Sequence, residues 1–165
     1  PWEGGFPNTY QWFSLSSGFE RKSLQAMAQD IKNSQQQLQK LIDQQLSSYG
    51  LGVDNLFLVG FSQGAMMALY QALIRPQKIA GVIGFSGRLI APEMLNEKTN
   101  SKPEICLIHG QQDSVVPFDC MIEAEKILKE QNFAVESHAI PNLDHSIDLR
   151  GIRAANNFFK KIINS

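Results

Sequence analysis

The chain has 165 residues, enough for one domain with a substantial core and too few for two, so we predict a single domain over residues 1–165. Hydrophobic residues make up 43% and charged residues 19%, which is typical of a globular domain. The net charge of −1 gives no basis for nucleic-acid binding, and no apolar run is long enough for stable membrane insertion.

Cysteine usage is sparse. Cys106 and Cys120 are the two cysteines, which form neither a disulfide framework nor a metal-ligand pair. Both lie in apolar stretches, where a cysteine usually behaves as a small hydrophobic residue. We therefore predict that both are reduced, which favours a cytoplasmic protein, and we expect no metal or cofactor.

The first part of the chain predicts an irregular segment, a long helix and a strand. Residues 1–17 are rich in aromatic residues, proline and glycine. A helix follows and ends at Gly50 and Gly52. Its apolar residues recur at spacings of three, four and seven: Leu24, Met27, Ile31, Leu38, Leu41, Ile42 and Leu46. The run 56–59 is continuously apolar, which is typical of a strand buried on both faces.

From residue 63 onward, helices and strands alternate. In chain order the patterns predict a helix over 63–75 ended by Pro76, strands over 80–85 and 105–108, a helix over 118–131, a strand over 133–140 and a helix over 147–163. We expect Ile122, Ile127 and Leu128 on the buried side of the helix over 118–131. The alternation predicts an α/β fold, with a mostly parallel sheet and helices on both of its faces.

The sequence Gly60-Phe61-Ser62-Gln63-Gly64 reads G-x-S-x-G and lies where a buried strand passes into a helix. A serine on such a sharp turn is exposed above the sheet edge, and small flanking residues permit the close approach. The helix that follows directs its positive N-terminal end towards the hydroxyl. We therefore predict that Ser62 is a nucleophile; the alternative is a Gly-Ser turn that only makes the bend.

A second serine, Ser86, lies in the similar stretch Gly84-Phe85-Ser86-Gly87. This stretch lacks the glycine two residues after the serine, and a polar connection follows it. We interpret Ser86 as a loop-edge residue.

A serine nucleophile needs a base within hydrogen-bonding reach, and the chain has three histidines. His138 lies within a predicted strand, and His109 ends one, where we expect it to support the adjacent loop. His145 lies in a loop that leaves the last strand. Because sites in parallel sheets form at the carboxyl ends of strands, we predict that His145 is the base.

The imidazole in turn needs a carboxylate. Asp113 follows the strand over 105–108, and Asp144 is its competitor because it adjoins His145. Adjacent residues rarely face each other with suitable geometry, so we prefer Asp113, whose alternative role is that of a helix cap. The order serine, aspartate, histidine is that of α/β-hydrolases.

These residues resemble the carboxylesterase, acyl-protein thioesterase and lysophospholipase family of α/β-hydrolases. The resemblance is carried by Gly60-Phe61-Ser62-Gln63-Gly64, by His109-Gly110 with Asp113 and Val115-Val116-Pro117, and by Asp144-His145-Ser146. It covers nearly the whole chain from Trp12-Phe13 onward. It implies the α/β-hydrolase fold and an acyl-enzyme mechanism.

The resemblance also implies that Trp12, Arg88, Leu89 and Val115 line the substrate site. The chain departs from the family pattern at Arg88, where related enzymes often carry an aromatic residue, and at Ser14, where aspartate is common. Family members begin with several strands and a His-Gly loop that supplies one oxyanion donor, and the front of this chain has no counterpart. We therefore expect upstream residues in the working protein, and the backbone N–H of Gln63 as the oxyanion donor within this sequence.

The expected function is hydrolysis of a small acyl ester or thioester. Two alternatives remain: a dienelactone-hydrolase-like or peptidase activity, and a non-catalytic module that keeps the fold and only binds a ligand. The sequence leaves open whether the protein is a monomer or a homodimer.

Overall fold

The computed structural model describes residues 10–14, 28–92 and 101–164. The described helices and strands, in chain order, are α1 (Ala28–Tyr49), a 3-10 turn (Val53–Asn55), β1 (Phe57–Phe61), α2 (Gln63–Ile74), β2 (Gly81–Phe85), β3 (Glu104–Gly110), α3 (Asp119–Glu130), β4 (Val135–Ile140) and α4 (Leu149–Ile163). Strands and helices alternate as the sequence predicts.

The four described strands form one parallel sheet in the order β1-β2-β3-β4. Phe61 pairs with Phe85 and Gly110 with Ile140, so the strands end close to one another. The loops that follow these strands therefore emerge along one edge of the sheet, which brings residues distant in sequence together.

Helices cover both faces of the sheet, which confirms the predicted architecture. Side chains that alternate along a strand separate into two cores. On one face Val82, Ile105 and Leu107 pack with residues of α2 and α3. On the other face the buried residues include Ile83, Phe85, Cys106, Ile108 and Phe158, the last from α4.

Helix α1 packs against α2 and ends where the sequence predicts. Ile31 and Ile42 are buried on its inner side. Gly50 follows the last residue of the helix with φ of +63°, a conformation that glycine adopts readily. The predicted helix residues Leu24 and Met27 lie outside the described residues.

Two details of the predicted burial are wrong. Val59 is 63% exposed: it shares a face with Ile83, and α4 packs on that face mainly against β2, β3 and β4, which leaves Val59 of the edge strand β1 uncovered. Ile122 is 50% exposed, and Met121 and Ala124 are buried on the inner side of α3 instead. The prediction is confirmed for Leu128, which is buried, and for Ile127, which is partly buried against the core.

Among residues 10–14, 28–92 and 101–164, no helix combines the length and apolar character needed to cross a bilayer.

Candidate active site

Ser62 occupies a strained turn between β1 and α2. Its backbone has φ of +53° and ψ of −121°, outside the regions that L-residues usually populate. Its N–H donates to the Phe85 carbonyl of the neighbouring strand at 2.9 Å, and its carbonyl accepts from Met66 N–H in α2 at 3.1 Å. These backbone bonds fix the serine at the carboxyl end of β1.

The two glycines of the motif differ in what they permit. A Cβ added to Gly60 would collide with the backbone of Gly64 and Ala65, so only glycine lets the strand approach the helix at this point. A Cβ on Gly64 would meet no atom within 4 Å. The sequence predicts that both positions need glycine so that the strand and the helix can come close. This prediction is confirmed for Gly60 and is wrong for Gly64.

The Asp113 carboxylate lies at the carboxyl end of the sheet, and its side chain is fully buried. Its Oδ1 accepts from the backbone N–H groups of Val115 at 3.0 Å and Val116 at 2.8 Å. Burial raises the pKa of this carboxyl, but hydrogen bonds from His145, from both backbone groups and from Ser86 outweigh burial and leave the pKa below its usual value. Asp113 is therefore ionised at neutral pH.

The imidazole of His145 is bound to that carboxylate. Its Nδ1 lies 2.8 Å from Asp113 Oδ2 and 3.0 Å from Oδ1. Since an ionised carboxylate only accepts hydrogen bonds, Nδ1 carries the proton and Nε2 of the neutral ring holds the free lone pair. The ring also packs against Phe61, the residue before Ser62, with centroids 4.7 Å apart. The imidazole thus lies beside the serine turn.

Asp144, the competitor considered from the sequence, does not approach the ring of His145 in the described contacts. Its Oδ1 accepts from the backbone N–H and hydroxyl of Ser114, each at 2.8 Å, and from the backbone N–H of His145 at 2.8 Å. These bonds hold the loop of Ser114 against the loop of His145. Asp144 therefore fixes the histidine's backbone and leaves the imidazole to Asp113.

The loops carrying Asp113 and His145 are also joined through their backbones. Gln112 N–H donates to the Leu143 carbonyl at 3.0 Å, and Gln111 N–H donates to the Ile140 carbonyl at 3.0 Å. A Cβ on Gly110 would collide with the Leu143 carbonyl, so glycine is needed there. The aspartate and the histidine are consequently held on a rigid pair of loops.

Gln63, the predicted oxyanion donor, is the first residue of α2, where a backbone N–H has no acceptor within the helix. Its side chain has a contact that the sequence analysis missed. Gln63 Oε1 accepts from Trp12 N–H at 3.0 Å, and Nε2 donates to the Phe13 carbonyl at 2.9 Å. Ser34 Oγ donates to the Trp12 carbonyl as well. Gln63 thus fixes the Trp12-Phe13 segment beside the serine turn.

The four residues that the resemblance assigns to the substrate site differ in how far they are exposed to solvent. Trp12 is 38% exposed and Val115 is 48% exposed, two residues along from Asp113. Leu89, only 7% exposed, is part of the core between the sheet, α2 and α3. Arg88 is half-buried and lines a small cavity, of about 10 Å³, together with His109.

The histidines not predicted as bases have other partners. His138 Nε2 lies 2.8 Å from Glu136 Oε1 on the same strand. His109 is 2% exposed, and its Nε2 lies 2.8 Å from the Val116 carbonyl oxygen in the loop that the sequence analysis expects it to support. Ser86, predicted to be a loop-edge residue, is buried, with φ of +47°, and its side chain forms a hydrogen bond with Asp113. One feature of the sequence could have indicated this contact: Ser86 directly follows β2, and the ends of parallel strands share one edge of the sheet.

Among the described residues, no group of three or more histidine, cysteine, aspartate or glutamate side chains is arranged to hold a metal ion. Cys106 is buried in the core and not paired, and burial raises the pKa of its thiol to about 12. Cys120, also a free thiol, has a raised pKa for the same reason.

A family model described as phospholipase/carboxylesterase matches residues 4–163, almost the entire chain. The chain belongs to this family. Among curated relatives, acyl-protein thioesterase 1 of Neurospora crassa is 28% identical over 162 residues, which are 95% of this chain and 66% of the relative. Esterase YpfH of Escherichia coli is 30% identical over 151 residues, which are 92% of this chain and 62% of the relative.

The family's fold is shared in three dimensions. The crystal structure of esterase PE8 superimposes with a TM-score of 0.88 at 34% identity, covering 96% of this chain and 73% of that one. The α/β-hydrolase fold is thereby confirmed. The chain spans slightly less than two thirds of the length of the two curated relatives.

Proposed function

We propose that the protein is a serine hydrolase that cleaves carboxylic esters or thioesters through an acyl-enzyme, with Ser62 as nucleophile, His145 as base and Asp113 as its orienting carboxylate. The observation that carries the proposal is the binding of His145 Nδ1 by Asp113 at 2.8 Å beside the Ser62 turn. A base oriented by a third group in this way can activate a weak hydroxyl nucleophile.

In the acylation step, His145 Nε2 takes the Ser62 Oγ proton as Oγ bonds to the carbonyl carbon of the substrate. The carbonyl oxygen becomes an oxyanion, which the Gln63 backbone N–H stabilises from the first turn of α2. As the tetrahedral intermediate collapses, the bond to the leaving oxygen or sulfur breaks and the imidazolium returns the proton to that atom. The alcohol or thiol leaves, and the acyl group stays on Ser62.

In the deacylation step, water attacks the acyl carbonyl and gives a proton to His145 Nε2. The second intermediate breaks the bond to Ser62 Oγ, which recovers its proton from the imidazolium, and the carboxylic acid is released. Asp113 stabilises the imidazolium in both steps and stays ionised. No step requires a metal or cofactor.

We further propose that Trp12, Val115 and Arg88 line the substrate site. Trp12 and Val115 are partly exposed, the first fixed by Gln63 and the second by its backbone bond to Asp113. Leu89 is 7% exposed and supports these residues from the core rather than lining the substrate site itself. Replacing Trp12 or Val115 by Ala should raise KM for long-chain acyl esters more than KM for acetyl esters; equal changes would contradict the assignment.

The proposed function is tested with p-nitrophenyl acyl esters. Ser62→Ala should abolish hydrolysis, while Ser48→Ala, which removes an exposed hydroxyl bonded within α1, should leave the rate unchanged. Comparable activity of Ser62→Ala and the wild type would refute the assignment. A wild type without any activity on esters or thioesters would favour the non-catalytic binding module.

The leaving group is resolved by comparing rates on short esters, long-chain acyl thioesters and peptides. The names of the relatives, acyl-protein thioesterase and esterase, support esters and thioesters over peptides. A higher kcat/KM on peptides than on either acyl substrate would indicate the peptidase alternative.

Residues 1–165 are proposed to form one domain, since the cores on both sides of the sheet are built on the same four strands. Limited proteolysis that released two stable fragments would contradict this. A cytoplasmic location is proposed from the two free thiols, Cys106 and Cys120. Thiol alkylation in intact cells, followed by mass spectrometry, should find both reduced; a disulfide would contradict the location.

A further inference from the structure

A second histidine binds Asp113 from the side of β3. His109 Nε2 lies 3.2 Å from Asp113 Oδ2 and 2.8 Å from the Val116 carbonyl oxygen. The side chains of His109 and Asp113 are 1% and 0% exposed. The ring of Phe118 packs edge-on against the His109 ring, with centroids 6.0 Å apart. His109 is therefore enclosed, and its orientation is determined by these neighbours.

The partners of His109 Nε2 determine where its proton lies. A backbone carbonyl and a carboxylate both accept hydrogen bonds and donate none. The Nε2 atom must therefore carry a hydrogen, which it donates to the Val116 carbonyl oxygen at 2.8 Å, while Asp113 Oδ2 is a longer contact of the same atom at 3.2 Å. In this state His109 places the positive end of its N–H bond near Asp113 and has no Nε2 lone pair with which to act as a base.

The two oxygens of Asp113 are held in different ways. Oδ1 accepts from two backbone N–H groups, those of Val115 and Val116. His145 Nδ1 donates mainly to Oδ2, at 2.8 Å against 3.0 Å for Oδ1, and His109 Nε2 lies 3.2 Å from the same Oδ2. Ser86 adds a bond to the same carboxyl. His109 thus contacts Oδ2 separately from His145, the residue whose imidazole Oδ2 orients.

We propose that His109 is a positioning residue of the hydrolase, which restrains the Asp113 carboxylate through the contact of its Nε2–H with Oδ2, so that Oδ2 meets His145 Nδ1 at the productive angle. The inference rests on the proposed function of Ser62, Asp113 and His145. It concerns a group that touches neither substrate nor reacting atoms, so its effect must reach the reaction through Asp113.

Two consequences separate a positioning role from a merely structural one. A misplaced base lowers the rate of the chemical step and leaves substrate binding unchanged, so kcat should fall while KM stays constant. A carboxylate that loses a donor becomes a stronger base and attracts the His145 proton more strongly. The acid limb of the kcat/KM profile should therefore move to higher pH.

The titratable and charged groups around Asp113 and His145 lie on β3, on the loops that follow β3 and β4, and on α3, and Arg88 lines a small cavity together with His109. His109 and His145 face Asp113, and Asp113 and the nearby carboxylate of Asp144 act on His145. Cys120 of α3 is also close enough to interact with Asp113 electrostatically, but its thiol has a raised pKa and stays neutral. Replacing His109 therefore leaves the other charges near His145 in place.

The experiment compares His109→Gln with His109→Met in the full chain. Glutamine carries an N–H donor the same number of bonds from Cβ as histidine Nε2, and methionine has the same reach without a donor. His109→Met should lower kcat about ten- to a hundred-fold with unchanged KM, and move the acid limb up by roughly half a pH unit. His109→Gln should restore kcat to within about threefold of the wild type.

Wild type and Ser62→Ala are measured in parallel, so failure of the proposed function appears as hydrolysis that does not depend on Ser62. With Ser62-dependent hydrolysis established, a His109→Met protein with wild-type kcat and pH profile overturns the inference. So does a His109→Gln protein as impaired as His109→Met. If circular dichroism shows that His109→Met does not fold, His109→Asn replaces it, because its shorter amide cannot reach Asp113.

Discussion

Asp113 and Asp144 bind two different parts of His145. The Asp113 carboxylate accepts from the ring Nδ1 at 2.8 Å, while Asp144 Oδ1 accepts from the backbone N–H at 2.8 Å. Asp144 lies next to the histidine in sequence, and Asp113 precedes it by 32 positions. The carboxylate near in space to the imidazole is therefore the one distant in sequence, and the two aspartates should differ in their effect on catalysis.

Replacing Asp113 by Asn should lower kcat about 10³- to 10⁴-fold, because an amide at this place favours the wrong tautomer of His145. Asp144→Asn, the matched control, keeps an oxygen acceptor for Ser114 and His145 N–H and should lower kcat less than about tenfold. Steady-state kinetics on a p-nitrophenyl ester measure both. Equal losses in the two variants would contradict the division of roles.

Gly60→Ala should destabilise the fold by about 1–3 kcal/mol, because its Cβ would overlap the backbone of Gly64. Gly64→Ala is the matched control. A Cβ there meets nothing within 4 Å, and alanine favours the helix, so the change should be neutral or stabilising by up to about 1 kcal/mol. Urea unfolding of both variants checks this, and a Gly64→Ala protein as unstable as Gly60→Ala would disprove the packing account.

Gln63→Leu should release the Trp12-Phe13 segment, since leucine replaces neither the acceptor for Trp12 N–H nor the donor to the Phe13 carbonyl. In a Trp2→Phe background, Trp12 is the single fluorophore of its kind. Acrylamide should quench the fluorescence of Trp12 more strongly in Gln63→Leu than in the protein that keeps Gln63.

The exposed Gln37 of α1 provides the control, and Gln37→Leu should leave this quenching unchanged. Unaltered quenching in Gln63→Leu would mean that the segment is held by other contacts.

The lowered pKa of Asp113 links stability to pH. Burial raises this pKa, but the donors from His145, the loop backbone and Ser86 outweigh burial, so the folded pKa lies below the unfolded value of about 3.8. Ionised Asp113 therefore contributes stability that is complete above the unfolded pKa. The contribution is lost as pH falls through the folded pKa.

Denaturant unfolding of the wild type and Asp113→Asn, measured from about pH 6 to about pH 2, tests this linkage. The loss of stability on acidification should be shallower in Asp113→Asn, because its side chain does not titrate. Asp43, Asp144 and Asp148 also have lowered pKa values and titrate in both proteins. Identical slopes would show that Asp113 is not stabilised in the fold.

Much of the fold could be predicted because short apolar runs and amphipathic helices have distinct periods. The start of α2 directly after Ser62 and its end before Pro76 follow from local chemistry. The place of β1 in the sheet does not, since Val59 is apolar in sequence and 63% exposed at a strand edge. In α3, Ile122 and Met121 are comparably apolar, and the rotation of the helix about its own axis decides which of them is buried.

The site was predictable where topology alone brings residues together. Ser62, Asp113 and His145 each follow a different parallel strand, and the carboxyl ends of such strands share one edge. Side-chain contacts between loops distant in sequence were not predictable. The bonds from Gln63 to the Trp12 segment and from Ser86 to Asp113 depend on rotamers and packing that no spacing specifies.

The activation of Ser62 by His145 and Asp113 is tested most directly with a fluorophosphonate probe, by identifying the residue that the probe labels. After digestion, peptide mass spectrometry should find the phosphonyl group on Ser62, and labelling should be much slower in His145→Ala than in the wild type. A label on Ser86 or another serine, or equal labelling rates in the two proteins, would contradict the claim that His145 and Asp113 activate Ser62.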